Sequence, residues 1–375
     1  MRALTSKDVR LLLVCLVLAV ASGVLDAVPL GTVVPFAVSA LALAALATLV
    51  GRCVDALGDR LGAGATGVVQ SALGNLPELF VCVFALRKGL DGVVRAAIVG
   101  SVLSNVLLVL GLAFLVGGLK NGTQRFRGEA ARTTGLLLLL AVGVLLLPAL
   151  TAALHTPAAG HEVAFSRITA VVLLVVFALS LPATLKKERT PGADESRGMH
   201  EADAADGADG ADAADEDADG EVGQWPLRLS IGLLALSAVG AAFVSDWFVN
   251  ALTPATEALG LSQAFAGLVV VAIAGNAVEN VVGIQLAAKN RTDYALSVIL
   301  QSPLQIVLVL APVLVLAAPL VGASFTLVLS PLLIAVLAIA VVVTVVVVFD
   351  AESTWLEGVA LIALYVVMAT AFFWG

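Results

Sequence analysis

Charge, histidine and cysteine are all scarce in this chain. Only 13% of its 375 residues are charged, about half the ~25% usual for soluble domains. That shortage excludes an ordinary soluble fold. There are three histidines, His155, His161 and His200, and none falls in a predicted helix. A histidine-built zinc or copper centre is therefore disfavoured. So is an intramembrane hydrolase, because no aspartyl-protease pattern is present either; the chain is not read as an enzyme. The three cysteines, Cys15, Cys53 and Cys82, sit in or beside apolar stretches without metal spacing, which excludes a disulfide framework. No cleavage site follows the first apolar block, Leu11 to Val28, so it is read as a helix rather than a leader.

Apolar sequence is abundant, at 60% of residues. It comes in blocks near the ~20 residues that cross a bilayer as a helix. Eleven such helices are expected, near 9–28, 32–50, 65–87, 92–118, 132–154, 163–183, 226–249, 262–288, 293–319, 323–349 and 352–374. The fold class is an all-α polytopic membrane protein. The lipid bilayer and inorganic cations are the expected partners, with no nucleic acid; nothing in the sequence sets an oligomeric state.

Charge is also unevenly placed. Residues 194–221 hold 12 of the 28 acidic residues and one basic residue, Arg197, so the rest of the chain carries 19 basic and 16 acidic residues, a net charge of +3. The acidic stretch belongs to a low-complexity linker, 186–224, which cannot bury a core and reads as a solvated tether. It has no EF-hand spacing. Basic clusters at Arg2, Lys7 and Arg10, at Lys120, Arg125, Arg127 and Arg132, at Lys186, Lys187 and Arg189, and at Lys289 and Arg291 would all share one face. By the positive-inside rule that face is the cytoplasm, with the N-terminus inside and the C-terminus outside. Arg87 and Lys88 dissent. Trp225, Trp247, Trp355 and Trp374 are expected at helix ends, as an aromatic belt requires.

The chain repeats itself. A shift of 201 residues aligns 74–109 with 275–310 without a gap, pairing Gly74 with Gly275, Asn75 with Asn276 and Glu78 with Glu279. Lys88, Ile98 and Ser101 pair with Lys289, Ile299 and Ser302. Five predicted helices separate each pair. Five is odd, so the second copy enters the membrane from the opposite face, an inverted repeat of the kind secondary transporters use. The organisation expected is a leading helix over 1–30, a five-helix repeat over 31–185, the linker over 186–224 and a second repeat over 225–375.

A carboxylate inside a bilayer costs at least about 2.5–3.5 kcal/mol, so two at matching positions argue for function over a purely structural pair. Asn and Glu three apart share a helical face. Ser101, Ser104 and Asn105 share another, with Ser302 and Gln305 as counterparts. Carboxylate, amide and hydroxyl oxygens are hard ligands suited to calcium. Gly74, Gly275, Pro77 and Pro303 would free backbone carbonyls of the same turns, at Leu73 and Ile299 in the proline cases. One divalent cation or two protons would neutralise the pair, so competition between them gives proton-coupled cation exchange. No resident cofactor is expected; Ca2+, with Mn2+ or another divalent as alternatives, and H+ are cargo. Asp55 and Asp59 would line one vestibule, Asp246 and Glu257 the other.

These motifs resemble the calcium/proton exchanger family of the calcium/cation antiporter superfamily. The resemblance rests on Gly-Asn-Leu-Pro-Glu-Leu (74–79), Ala-Leu-Arg-Lys-Gly (85–89), Val-Gly-Ser-Val-Leu-Ser-Asn-Val-Leu-Leu-Val-Leu-Gly (99–111), Gly-Asn-Ala-Val-Glu-Asn (275–280), Ala-Lys-Asn-Arg (288–291), Ser302 to Ile306 and Trp-Leu-Glu-Gly-Val-Ala-Leu (355–361). It implies one leading helix with two inverted five-helix bundles, and calcium ligation and proton exchange at Glu78 and Glu279. The chain departs from the family at Asn280, where a histidine is usual, at Arg95, at Pro77 and at Gln301-Ser302-Pro303. Sodium/calcium exchange thus stays open as an alternative, and a passive cation channel as a more distant one. The short N-terminus resembles prokaryotic members and implies a prokaryotic cytoplasmic membrane.

Overall fold

The computed structural model describes residues 4–28, 31–61, 73–126, 128–188 and 225–374; the side chains at 55, 58–61, 181–188, 278 and 279 fall outside that description. The acidic linker lies outside it too. Twelve helices stand among the described residues: α1 Ser6–Ala27, α2 Val33–Leu61, α3 Leu76–Arg87, α4 Asp91–Asn121, α5 Gly128–Ala153, α6 Glu162–Glu188, α7 Leu227–Leu259, α8 Gln263–Gly275, α9 Ala277–Ala288, α10 Thr292–Val321, α11 Pro331–Val347 and α12 Trp355–Phe373. Two short strands, β1 Gln124–Arg125 and β2 Glu352–Ser353, pair antiparallel.

Local chemistry explains where several helices start. Thr5 and Asp8 form a capping box before α1, and Thr354 and Glu357 form one before α12. Ser262 and Ser330 accept from the third residues of α8 and α11, and Pro331 opens α11 at the position where no N–H is needed.

Eight described helices are long and apolar enough to cross a membrane, or nine if α8 and α9, bent by 62° at their junction, form one span. Eleven were expected, and two departures account for part of the gap. Residues 62–72, which include the first 8 positions of the third expected span, lie outside the description. The tenth shrinks to the 17-residue α11, because residues 323–330 run without helix before Pro331. The α4 span is 83% buried and the α1 span 17%, so α4 is the centre of the bundle and α1 its lipid-facing edge. Close backbone approach supports the centre. Gly100 of α4 packs on the Leu268 backbone of α8, and Gly111 of α4 meets Gly358 of α12; a side chain at either glycine would collide.

Hydrogen bonds sort the helix ends into two faces. On one, Asp8 binds Arg52 at 2.6 Å and accepts from Trp225 Nε1 at 3.2 Å, and the β1–β2 pair joins the end of α4 to the start of α12. On the other, Asn250 donates to Asp26, Arg95 donates to the Thr326 carbonyl, and Ser262 donates to the Phe372 carbonyl. α4 and α10 therefore run in opposite directions. The basic residues Lys7, Arg10, Lys120, Arg125, Arg132, Lys289 and Arg291 fall on the first face, Arg87 and Lys88 on the second. The tryptophan expectation holds only in part. Trp225 is buried against Asp8, and Trp247 lies inside α7 against Gly23. Trp355 and Trp374 do stand exposed at the ends of α12.

Candidate functional site

The repeat in the sequence is a repeat in the backbone. Leu76–Arg87 and Ala277–Ala288 start and stop 201 residues apart. Asn75 and Asn276 precede them with nearly the same dihedrals, φ −97° and ψ 20° against φ −95° and ψ 22°, and neither side chain caps its helix. Both amides are thus left for other partners. Glu78 sits one turn into α3, and position 279 occupies the same place in α9, its side chain outside the description.

Two π-helical turns occupy matching places in the repeats, Ser104–Val109 within α4 and Ile306–Leu310 within α10, and a third, Ala266–Val271 within α8, runs up to the break at Gly275. A π turn inserts a residue and rotates the remainder of the helix about its axis, and such turns mark functional positions. Proline is not their cause. Pro303 precedes the second turn, but Val102 occupies its counterpart before the first. Nor does Pro77 kink a continuous helix: it stands in the first turn of α3, where no N–H is used, because the chain has already broken at Gly74 and Asn75.

The site is a buried chain of polar groups. Glu78 is 3% exposed, and its Oε1 accepts from Ser101 Oγ at 2.7 Å and from Asn276 Nδ2 at 2.7 Å. Asn276 Nδ2 also donates to the Ala272 carbonyl at 2.8 Å, satisfying an end of α8. Asn276 Oδ1 accepts from Asn105 Nδ2 at 3.0 Å and from Ser302 Oγ at 3.2 Å. Asn105 and Asn276 are fully enclosed. Gly275 lies against the carboxylate, and a Cβ there would come within 2.6 Å of Glu78 Oε1. A small pocket of about 10 Å³ adjoins Glu78, walled by Pro77, Gly275 and the apolar Leu43, Val81, Phe248 and Val271; that is close to the room one water needs.

Five of the expected site residues, Glu78, Asn276, Ser101, Asn105 and Ser302, are therefore joined by hydrogen bonds, with Gly275 packed on them. Ser104 and Gln305 are buried on the π-turn helices beside them, and the Ser104 hydroxyl has no hydrogen-bond partner among the described residues. Gly74 and Asn75 form the break before α3. The vestibule residues are less gathered. Asp55 and Asp59 lie in the last turns of α2 with side chains outside the description. Asp246 is half-buried in α7, two residues from the cavity-lining Phe248, and Glu257 is exposed near the end of that helix. The sequence reading missed the apolar cavity wall, and missed Thr344 of α11, whose hydroxyl reaches the Val106 carbonyl in the first π turn at 3.3 Å. A lone hydroxyl in an apolar run was the available signal.

Buried oxygen atoms without partners test the fit to a hard cation. Asn105 Oδ1, Ser104 Oγ and Asn280 Oδ1 are all shielded from solvent and accept no hydrogen bond from the described residues. Buried polar atoms are nearly always satisfied, so three such oxygens on the helices that build the site suit an oxygen-coordinated ion or ordered water.

A family model described as sodium/calcium exchanger protein matches residues 31–185 and 229–374. The chain belongs to that family. It is 35% identical over 341 residues to a Ca(2+)/H(+) antiporter of Aphanothece halophytica, covering 90% of this chain and 89% of that one. The structure of native YfkE superposes with a TM-score of 0.77 at 28% identity, covering 96% of this chain and 99% of that one. The sodium-calcium exchanger NCX_Mj shares the fold, with a TM-score of 0.52 at 20% identity, over 95% of this chain and 99% of that one. The structure is a predominantly helical, multi-span membrane protein, as the sequence led us to expect.

Proposed function

We propose that this protein exchanges Ca2+ for H+ across a membrane by alternating access. The observation that carries the reading is Glu78: a carboxylate buried at the centre of a helical bundle, bonded across the repeats to Asn276. Position 279 is its pseudo-symmetric partner. Either a divalent cation or protons compensate such carboxylates, and the two compete because both take the same oxygens.

The residues divide the work. Glu78 and Glu279 carry the exchangeable charge. Asn105, Ser104, Asn276, Ser101, Ser302 and Gln305 supply neutral oxygens, hard donors that suit Ca2+. Gly74 and Gly275, at the breaks, let the two motifs meet. Asn276 and Ser101 donate to Glu78, so they favour the empty carboxylate when the cation leaves. Alternation arises from two short helices, α3 and α9, whose inner ends meet at the site and whose outer ends point to opposite faces. The proposed organisation is the leading helix, 1–30, then repeats over 31–185 and 225–375 joined by the tether at 186–224. Asp55 and Asp59 at one mouth, and Asp246 and Glu257 at the other, gather cations. The face carrying the basic clusters is cytoplasmic, with the N-terminus inside and the C-terminus outside, in a prokaryotic cytoplasmic membrane.

Relatives named for Ca(2+)/H(+) exchange support the proton as counter-ion. One observation favours sodium instead: the group after the second glutamate is Asn280, which does not titrate. Proton flux in proteoliposomes, titrated with calcium, manganese and sodium, separates the two. Calcium-driven proton movement that needs no sodium is the result expected; calcium flux that requires sodium and moves no protons would replace this reading with sodium/calcium exchange.

A further inference from the structure

The outer ends of α3 and α9 are finished differently. Both end in the same backbone turn. Lys88, Gly89 and Leu90 donate back to Ala85 and Leu86, as Lys289, Asn290 and Arg291 do to Leu286 and Ala287. The left-handed residue is Gly89 (φ 71°) in one copy and Asn290 (φ 58°) in the other. At α9 the sequence adds side chains. Gln124 Nε2 donates to the Ala287 carbonyl at 2.9 Å and to Asn290 Oδ1 at 2.9 Å. Asn121 Nδ2 donates to the Ala287 and Ala288 carbonyls at 3.3 Å and 3.4 Å. These are among the last carbonyls of the helix, and Ala287 also accepts from the Asn290 N–H. The positions 201 residues after Asn121 and Gln124 are Gly322 and Phe325, and residues 321–327 contain no amide side chain.

Gln124 is itself held. It is 2% exposed, and its backbone pairs with Ser353. Its side chain occupies the space that Gly117 leaves open: a Cβ at Gly117 would overlap Gln124 Oε1. The α4–α5 loop, through one buried amide, thus grips one end of a helix whose other end carries Asn276. At 12 residues, α9 is a rod about 18 Å long, and any tilt at its gripped end moves Asn276 relative to Glu78.

We propose that Gln124 is a positioning residue for ion exchange: by holding the last turn of α9, it fixes where Asn276 meets Glu78 and the cation. The inference rests on the exchange reading of the site. It makes the exchanger asymmetric, since no equivalent side-chain grip on α3 stands among the described residues.

Calcium-dependent proton flux in proteoliposomes tests it, normalised to inserted protein. Gln124→Leu removes the amide, Gln124→Glu keeps its shape without the two donors, and Gly117→Ala expels it with Gln124 intact. Each variant is expected to raise KM for calcium roughly tenfold while Vmax stays within about twofold, in line with the cost of slightly misplacing a positioned group. A purely structural role would lower Vmax and leave KM where it was. An unchanged KM in Gln124→Leu or Gln124→Glu overturns the proposal whatever happens to Vmax. Gly117→Ala reaches the same state by a separate route and decides the matter if a Gln124 variant fails to insert. A parent protein with no calcium-driven proton flux would instead overturn the exchange reading beneath it.

Discussion

Glu78 Oε1 and Asn276 Nδ2 lie 2.7 Å apart, although 198 residues separate them in the chain. One belongs to the first repeat and the other to the second. The bond ties the charge of one motif to the amide of the other, so each repeat completes the other's site.

That bond predicts the effect of losing the amide. A hydrogen bond to a charged group is worth about 1.5–3 kcal/mol. Asn276→Leu removes the donor to Glu78 and the oxygen that Asn105 and Ser302 approach. The exchange rate at limiting calcium should fall between about 10-fold and 100-fold, an energy of that size converted at 1.4 kcal/mol per tenfold. Calcium-dependent proton flux at several calcium concentrations checks this; a fall of less than threefold would show that the bond is incidental.

Gly275 predicts a steric failure. A methyl group there would press on the Glu78 carboxylate, and packed interiors give way only at a cost of about 1–3 kcal/mol. Gly275→Ala should insert and remain monodisperse in detergent yet lose most of its exchange. Gly143, with nothing within 4 Å of its notional Cβ, provides the control: Gly143→Ala should exchange like the parent.

Away from the site, Asp8 predicts a stability effect without a transport effect on affinity. Its carboxylate accepts from the Thr5 backbone and hydroxyl at 2.9 Å and 2.7 Å, from Arg52 at 2.6 Å and from Trp225 at 3.2 Å. It joins the starts of α1 and α7 to the end of α2. Asp8→Ala removes the capping box and leaves the Trp225 N–H unpaired, a loss of about 1–3 kcal/mol. Thermal unfolding in detergent should shift down by several degrees, with KM for calcium unchanged. A raised KM would place Asp8 in the transport cycle.

Much of this was legible in the sequence, for reasons that differ by residue. Glu78, Asn276 and Ser101 announced themselves because polar groups are costly in apolar helices, so their repetition at a 201-residue shift stood out; Asn105, whose counterpart is Ile306, showed only through its place on the Ser101 and Ser104 face. The helix breaks were only half legible. Gly74 and Gly275 marked them, but the expected span 65–87 ran straight through Pro77, where the chain starts a new helix. The π turns at Ser104–Val109 and Ile306–Leu310 left no composition signal. Trp247 looked like an interface anchor because the expected end of its helix was 249, whereas α7 continues to Leu259. Residues 323–330 looked like helix because they are apolar. They run extended instead, with Arg95 bonded to Thr326 and the Leu327 N–H donated to Ser166 at 3.0 Å. No local pattern discloses partners that distant.

The most direct test of the account is proton flux driven by a calcium gradient in proteoliposomes holding either the parent protein or Glu78→Gln. Gln preserves the shape of Glu78 but can neither ionise nor exchange a proton. The account predicts calcium-driven proton flux in the parent and its loss, by at least about 100-fold, in an equally well inserted Glu78→Gln, in keeping with removal of the exchangeable charge itself. Full flux in Glu78→Gln would contradict it.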